Sequence, residues 1–305
     1  AGMNALVSIR VPGTREKTHA KIEEVMNHPA VVGYTLGDEP PATAFDRMAQ
    51  VKRWGSEIHP DALFFVNLYP NYASPQRQLK TETYSEYVDQ YMRVFQPKVL
   101  CFDHYPLVGA DDVRPNYYEN LEIIRQAALK YGTPFWAFAL VTPHGAYRDP
   151  TEAEIRFQIF SDLVYGAQGL FYFRYRGAND PFLNAVVDGD SNPTDYYPQV
   201  KRINSLVHAW APTLLKLRTT GVYHVGELPA GTRPVPEDGL VRTVWPSEDL
   251  IVGTFRHVHG GQYLMLMNKD YHRPRAFEVT FSDSVRGLRE VSRRDGQLLG
   301  PLELV

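Results

Sequence analysis

Six short apolar runs, each followed by a longer helix-like segment, limit the fold of this chain more than any other feature. The runs fall at residues 4–10, 31–37, 63–69, 99–104, 135–141 and 170–175. Most are apolar at nearly every position, as expected for parallel strands covered on both faces. Helical segments are predicted between them. Residues 15–27 precede His28-Pro29, and 43–58 space Phe45, Met48, Val51, Trp54 and Ile58 by three or four before His59-Pro60. Residues 84–95 stop before Pro97, and 117–131 end at Gly132, a C-cap signal. Residues 151–165 open on Thr151 and Glu154, the spacing of a capping box, and 195–210 stop before Pro212. Strand and helix repeating at this length imply right-handed parallel βαβ units.

A closed β/α-barrel needs eight such units, and six are visible. The chain opens at Ala1 already inside an apolar run. The expectation is therefore an α/β protein with a (β/α)8 TIM-type barrel that lacks its first two βα units. An N-terminal segment or a second chain is expected to complete it, because open strand edges invite pairing. The competing fold is an open doubly wound sheet, but no glycine-rich fingerprint follows the first strand. After Leu217 the texture changes to short β-rich runs divided by turns at Glu248-Asp249, Gly260-Gly261 and Asp295-Gly296. This predicts a barrel domain over 1–217 and a small antiparallel β-sandwich over 218–305.

Composition narrows the functional classes. A net charge of −3 and the lack of any dense Lys/Arg stretch argue against a nucleic-acid surface. No run reaches the ~18 apolar residues of a membrane span. The single Cys101 excludes an internal disulfide and reads as an inert core residue. Asp103, His104 and His144 lack a recognisable ligand spacing, so no metal is expected. No nucleophile elbow, P-loop or paired-Cys motif is present, and no cofactor is implied.

In a β/α-barrel, chemistry sits at the C-terminal ends of the strands, and here those ends are unusually polar. They read Gly37-Asp38-Glu39-Pro40, Asn67-Leu68-Tyr69-Pro70, Asp103-His104-Tyr105-Pro106, Trp136 to Thr142 and His144, and Tyr172 to Arg176. Carboxylates, amides, imidazoles and aromatic faces on one rim suit a sugar: hydroxyls take hydrogen bonds while the C–H face stacks on rings. The expected partner is thus a carbohydrate substrate. Glu39 is the sharpest candidate, since a carboxyl against barrel wall and beside Asp38 is raised toward the range of a general acid. A carboxylate capping the next helix is its plain structural alternative.

The stretch from Val31 to Pro40, with its Asp-Glu-Pro ending, resembles the fourth-strand motif of clan A glycoside hydrolases. The segments 136–140, 150–156 and 165–173 are similar to bacterial β-galactosidase-like proteins of the glycoside hydrolase family 42-like group. The resemblance extends over nearly the whole chain. It implies Glu39 as acid/base and a secreted or periplasmic enzyme that hydrolyses an oligo- or polysaccharide. Such enzymes usually carry a nucleophilic Glu at the end of the seventh strand, and 135–141 has no carboxylate. Asp103 or Asp38 is then expected as the second acid, with Asp38 read sooner as a group that orients Glu39 or a neighbouring donor than as a nucleophile. Asn67, Tyr69, His104, Tyr105, Trp136, His144, Arg174 and Tyr175 are expected to contact substrate. For Arg174 and Arg176 the alternative is pairing with Asp180 or Glu39. The rival function is a barrel that binds glycans without cleaving them.

Overall fold

The computed structural model describes residues 2–11, 13–110, 112–178, 181–182 and 184–302. In chain order the elements are β1 (Ala5–Ser8), α1 (Arg15–Glu23), β2 (Val31–Asp38), α2 (Phe45–Ile58), β3 (Leu63–Asn67), α3 (Tyr84–Phe95) and β4 (Leu100–Asp103). A short pair β5 (Leu107–Val108) and β6 (Asp112–Val113) precedes α4 (Tyr117–Tyr131), β7 (Phe135–Leu140), α5 (Glu152–Val164), β8 (Gly169–Phe173) and α6 (Tyr196–Leu214). Strands follow: β9 (Leu217–Val225), β10 (Val241–Trp245), β11 (Leu250–His257), β12 (Gln262–Asn268), β13 (Glu278–Phe281), β14 (Leu288–Val291) and β15 (Leu298–Leu302). Among the described residues the protein is a mixed α/β chain with six α-helices and parallel pairing in its first part. Among the described residues the strands do not join into one closed ring; they form separate sheets of two and three.

The chain divides into two compact units, Ala1–His104 with Ile123–Ala137, and Tyr105–Glu122 with Phe138–Val305. In the first, β1 pairs with β2 and β2 with β3, all parallel, and Leu68 bridges in parallel to Phe102 of β4. Strand β7 begins in the first unit and ends in the second. Helix α2 buries Phe45, Met48 and Val51 as its periodicity predicts. Trp54 and Ile58, on the same stripe, remain half-buried, and the Arg47 guanidinium lies 4.8 Å from the Trp54 ring centre. Phe45 in turn packs on Tyr87 and Tyr91 of α3, with ring centres 5.2 and 5.3 Å apart.

Gly33 shows why β2 and β3 lie so close. A Cβ at that position would sit 2.1 Å from the Leu63 carbonyl oxygen, a backbone atom held by the ladder. Gly33→Ala is therefore expected to destabilise the first unit by about 1–3 kcal/mol, the usual cost of overpacking. Urea unfolding monitored by circular dichroism measures this; an unchanged midpoint would show that the strands can separate without cost.

In the second unit, α5 starts with the capping box its sequence signals. Thr151 accepts from the Glu154 backbone N–H, and Glu154 accepts from that of Thr151 at 2.8 Å. Ile155, Ile159 and Leu163 of α5 share a core with Ala139, Val200 and Ile203. Helix α6 passes the stop expected before Pro212 and ends at Leu214. Only the last turn follows the proline, so its missing N–H removes one hydrogen bond near an end that would fray anyway. Beyond it, β9, β11 and β12 form one antiparallel sheet, β10 pairs with β13 and β14 with β15. Val225, Val241, Leu250 and Val252 form a common core across the first two of these sheets. The boundary expected at 217 falls within this unit, at the junction of α6 and β9.

Candidate active site

The site is assembled at the C-terminal ends of β2, β3 and β4. Asp38 is the last residue of β2 and stands in register with Asn67, the last of β3. The ladder continues one step further, because the Glu39 N–H donates to the Asn67 carbonyl at 2.8 Å. At that point the chain turns sharply: Glu39 has φ +48°, a left-handed conformation that a non-glycine residue adopts at a cost. Pro40 follows, and its carbonyl accepts the buried Tyr87 hydroxyl at 2.7 Å. A strained carboxyl-bearing residue is thus held from both sides, by β3 through its N–H and by α3 through its neighbour.

Three acids meet there. The Asn67 side-chain nitrogen donates to Asp38 Oδ1 at 3.0 Å and to Asp103 Oδ1 at 2.9 Å. Those two oxygens therefore lie within about 6 Å of each other. Asn67 and Asp103 are buried, whereas Asp38 is exposed. Glu39 is half-buried; loss of solvent, then the charges of Asp103 and Asp38, push its carboxyl up from 4.5 to about 8. Tyr69 stands in the field of Glu39 and Asp38, and burial together with those charges raises its phenol. Its ring centre is 6.4 Å from that of Tyr87.

The helix-capping alternative for Glu39 does not hold. The 3₁₀ turn Ala42–Ala44 and α2 both begin without a side-chain cap. Among the described residues Glu39 forms no ion pair. Glu152 and Glu154, the acids that follow β7, are otherwise engaged. Glu154 serves the capping box and pairs with Arg148 at 2.7 Å, while Glu152 pairs with Arg156 and Arg202.

Glu39 also makes stability depend on pH. Folding raises its carboxyl above the unfolded value, so the folded state retains a proton that the unfolded chain releases. Its share of stability is present below about 4.5 and is lost as pH rises to about 8. The thermal midpoint is expected to fall between about pH 5 and pH 8 in the wild type, and to fall less in Glu39→Gln. Parallel melting curves for the two proteins would contradict the raised carboxyl.

The other residues singled out in the sequence divide between the units. His104 is buried in the first, edge-on to Tyr72 with ring centres 5.0 Å apart, and Trp136 packs near Phe65 at 6.3 Å. The others belong to the second unit. Tyr105 is buried against Tyr147 and Phe173. The His144 ring contacts Phe173 and Phe182, and its Nδ1 is 2.8 Å from the Thr142 carbonyl. The Arg174 guanidinium lies 5.6 Å from the Phe182 ring centre, and Arg176 donates to the Gly189 carbonyl. Asp180, a suggested partner for these arginines, lies outside the described residues. Tyr175 is exposed and lines a hollow of about 870 Å³ between β8 and α6, together with Phe171, Tyr197, Lys201, His208 and Arg294. Tyr87 escaped the sequence reading. It lies on the buried face of α3, and its tie to Pro40 is visible only in three dimensions.

No family model matches the chain, and no curated protein does. Among solved structures, a candidate α-L-fucosidase of Bacteroides thetaiotaomicron aligns with a TM-score of 0.41 and 13% identity, over 54% of this chain and 56% of that one. A 2,3-dimethylmalate lyase of the PEP mutase/isocitrate lyase superfamily aligns with a TM-score of 0.36 and 12% identity, over 56% and 59%. The chain thus spans somewhat over half the length of each. Likeness of this degree is too slight to carry function, and neither comparison supports the family 42-like resemblance. The site itself has to supply the reading.

Proposed function

We propose that this protein is a glycoside hydrolase in which Glu39 is the general acid. One observation carries the reading: a half-buried carboxyl at a strand end, on a residue with a strained backbone, beside two further acids and, among the described residues, bound into no cap or ion pair. A carboxyl pushed up to about 8 is still protonated at neutral pH and can give its proton to a departing glycosidic oxygen. As that proton moves, the bond from the anomeric carbon to oxygen breaks. Asp103 is the second acid in this reading. It either takes a proton from the attacking water or attacks the anomeric carbon itself. Carboxyl separations of about 6.5–9.5 Å favour the first course and about 5–5.5 Å the second. Asp38, exposed at the rim and tied to Asn67, orients its neighbours.

The fold that accompanies this reading is a (β/α)8 barrel, with the six visible units as its third to eighth and a β-sandwich after it. Strand β8 supports it: Gly169–Phe173 is apolar throughout, ends its sheet, and is half-exposed at every position. That pattern suits a strand awaiting a neighbour, from the same polypeptide or from a second chain. The absence of a carboxylate on β7 favours a second function, a barrel that binds glycans without cleaving them. A screen of aryl glycosides and polysaccharides, with NMR of the first anomer released, separates the two. Hydrolysis with a defined anomer supports the enzyme, whereas saturable binding without release supports the binding protein.

A further inference from the structure

Asn67 occupies an unusual position among the acids. Its side-chain nitrogen carries two protons, and the two hydrogen bonds to Asp38 and Asp103 use both. Its main-chain carbonyl accepts the Glu39 N–H. One residue therefore touches all three acidic positions, two through its side chain and the third through its backbone. The remaining group, Oδ1, is buried and among the described residues makes no hydrogen bond, a state that ordinarily costs stability. A residue kept only to join β3 to its neighbours gains nothing from such a group, since backbone pairing already does this.

A donor placed between two carboxylates favours the charged form of each, and it shields charges that would otherwise repel at this separation. Charges kept on Asp38 and Asp103 in turn disfavour a charge on Glu39, the acid they flank. Among the described residues the phenols of Tyr69, beyond β3, and Tyr87, on α3, also stand in the field of Glu39. Both are neutral at the relevant pH, so after loss of solvent it is the charges of the two aspartates that raise Glu39.

We propose that Asn67 is the positioning residue of the acid cluster: by donating to both aspartates and accepting the Glu39 N–H on its carbonyl it fixes where the two acids stand relative to Glu39, and with them the field in which Glu39 works as proton donor. This rests on the reading of Glu39 as proton donor, and it gives Asn67 a role other than the substrate contact expected from the sequence.

The test follows side-chain carboxyl ¹³C shifts of Asp and Glu against pH in the whole protein, without substrate. The wild type is expected to show one Glu signal titrating near pH 8, absent in Glu39→Gln. In Asn67→Leu, which keeps the volume and removes the donor, that Glu signal is expected to move down by about one pH unit. Asn67→Ser, which retains a single donor, is expected to lie between the two and serves if the leucine variant does not fold. A purely structural role would lower the melting temperature of both variants and leave the Glu titration where it was, which would overturn the inference. If the wild type shows no Glu signal near pH 8, the reading of Glu39 fails instead. The two failures are thus told apart.

Discussion

Replacing Glu39 by glutamine is expected to lower turnover of an unactivated glycoside by several orders of magnitude and to leave its binding nearly unchanged. Glutamine fills the same space and tolerates the same backbone turn, but its amide has no acidic proton to give. General acid catalysis by a positioned side chain is worth roughly 10²–10⁴-fold, and the loss should fall on kcat and kcat/KM together. A rise in KM at constant kcat would mean that Glu39 only binds. The fold should survive, because the strained φ belongs to the backbone and the ties at Asn67 and Pro40 do not involve the carboxyl.

Asp103→Asn is expected to be comparably damaging, for a different reason. Asp103 is buried at the end of β4 and accepts from the Asn67 amide. Its charge is the larger of the two that raise Glu39. The asparagine variant loses a base or nucleophile and also loses the field that keeps the acid protonated. Two signs should therefore appear together: a loss of turnover on the order of 10²-fold or more, and a shift of the alkaline limb of kcat/KM to lower pH. Retained turnover with a shifted limb would transfer the second role to Asp38.

Much of the fold could be read from the chain because short-range chemistry determines it. The six apolar runs became strands within a few residues of their expected ends, and the Thr151–Glu154 spacing became a capping box. The turns marked by Asp249, Gly260, Gly261 and Gly296 all adopt positive φ. Helix α6 was misjudged because a proline near a helix end removes little, a matter of position rather than residue type. Strand β15 and the short pair β5 and β6 escaped notice, since their few residues carry no clear period.

The site divided in the same way. Asp38, Glu39, Asn67 and Asp103 stood out because acids and amides at the ends of apolar runs are conspicuous. What linked them was hidden: the donation of one amide to two aspartates, the left-handed turn at Glu39 and the brace from Tyr87 depend on register between strands far apart in sequence. His104 and Tyr105 are adjacent in the chain, yet they pack against different partners in different units. No local pattern announces such a parting.

The central claim is that Glu39 delivers a proton to a departing sugar oxygen. The most direct measurement compares Glu39→Gln with the wild type on two glycosides of the sugar that the aryl-glycoside screen identifies, one with an alkyl aglycone and one with dinitrophenol, which departs without a proton. The account predicts that the variant all but loses hydrolysis of the alkyl glycoside and cleaves the dinitrophenyl glycoside at a rate much closer to the wild type. Equal losses on both substrates, or no loss on either, would contradict it.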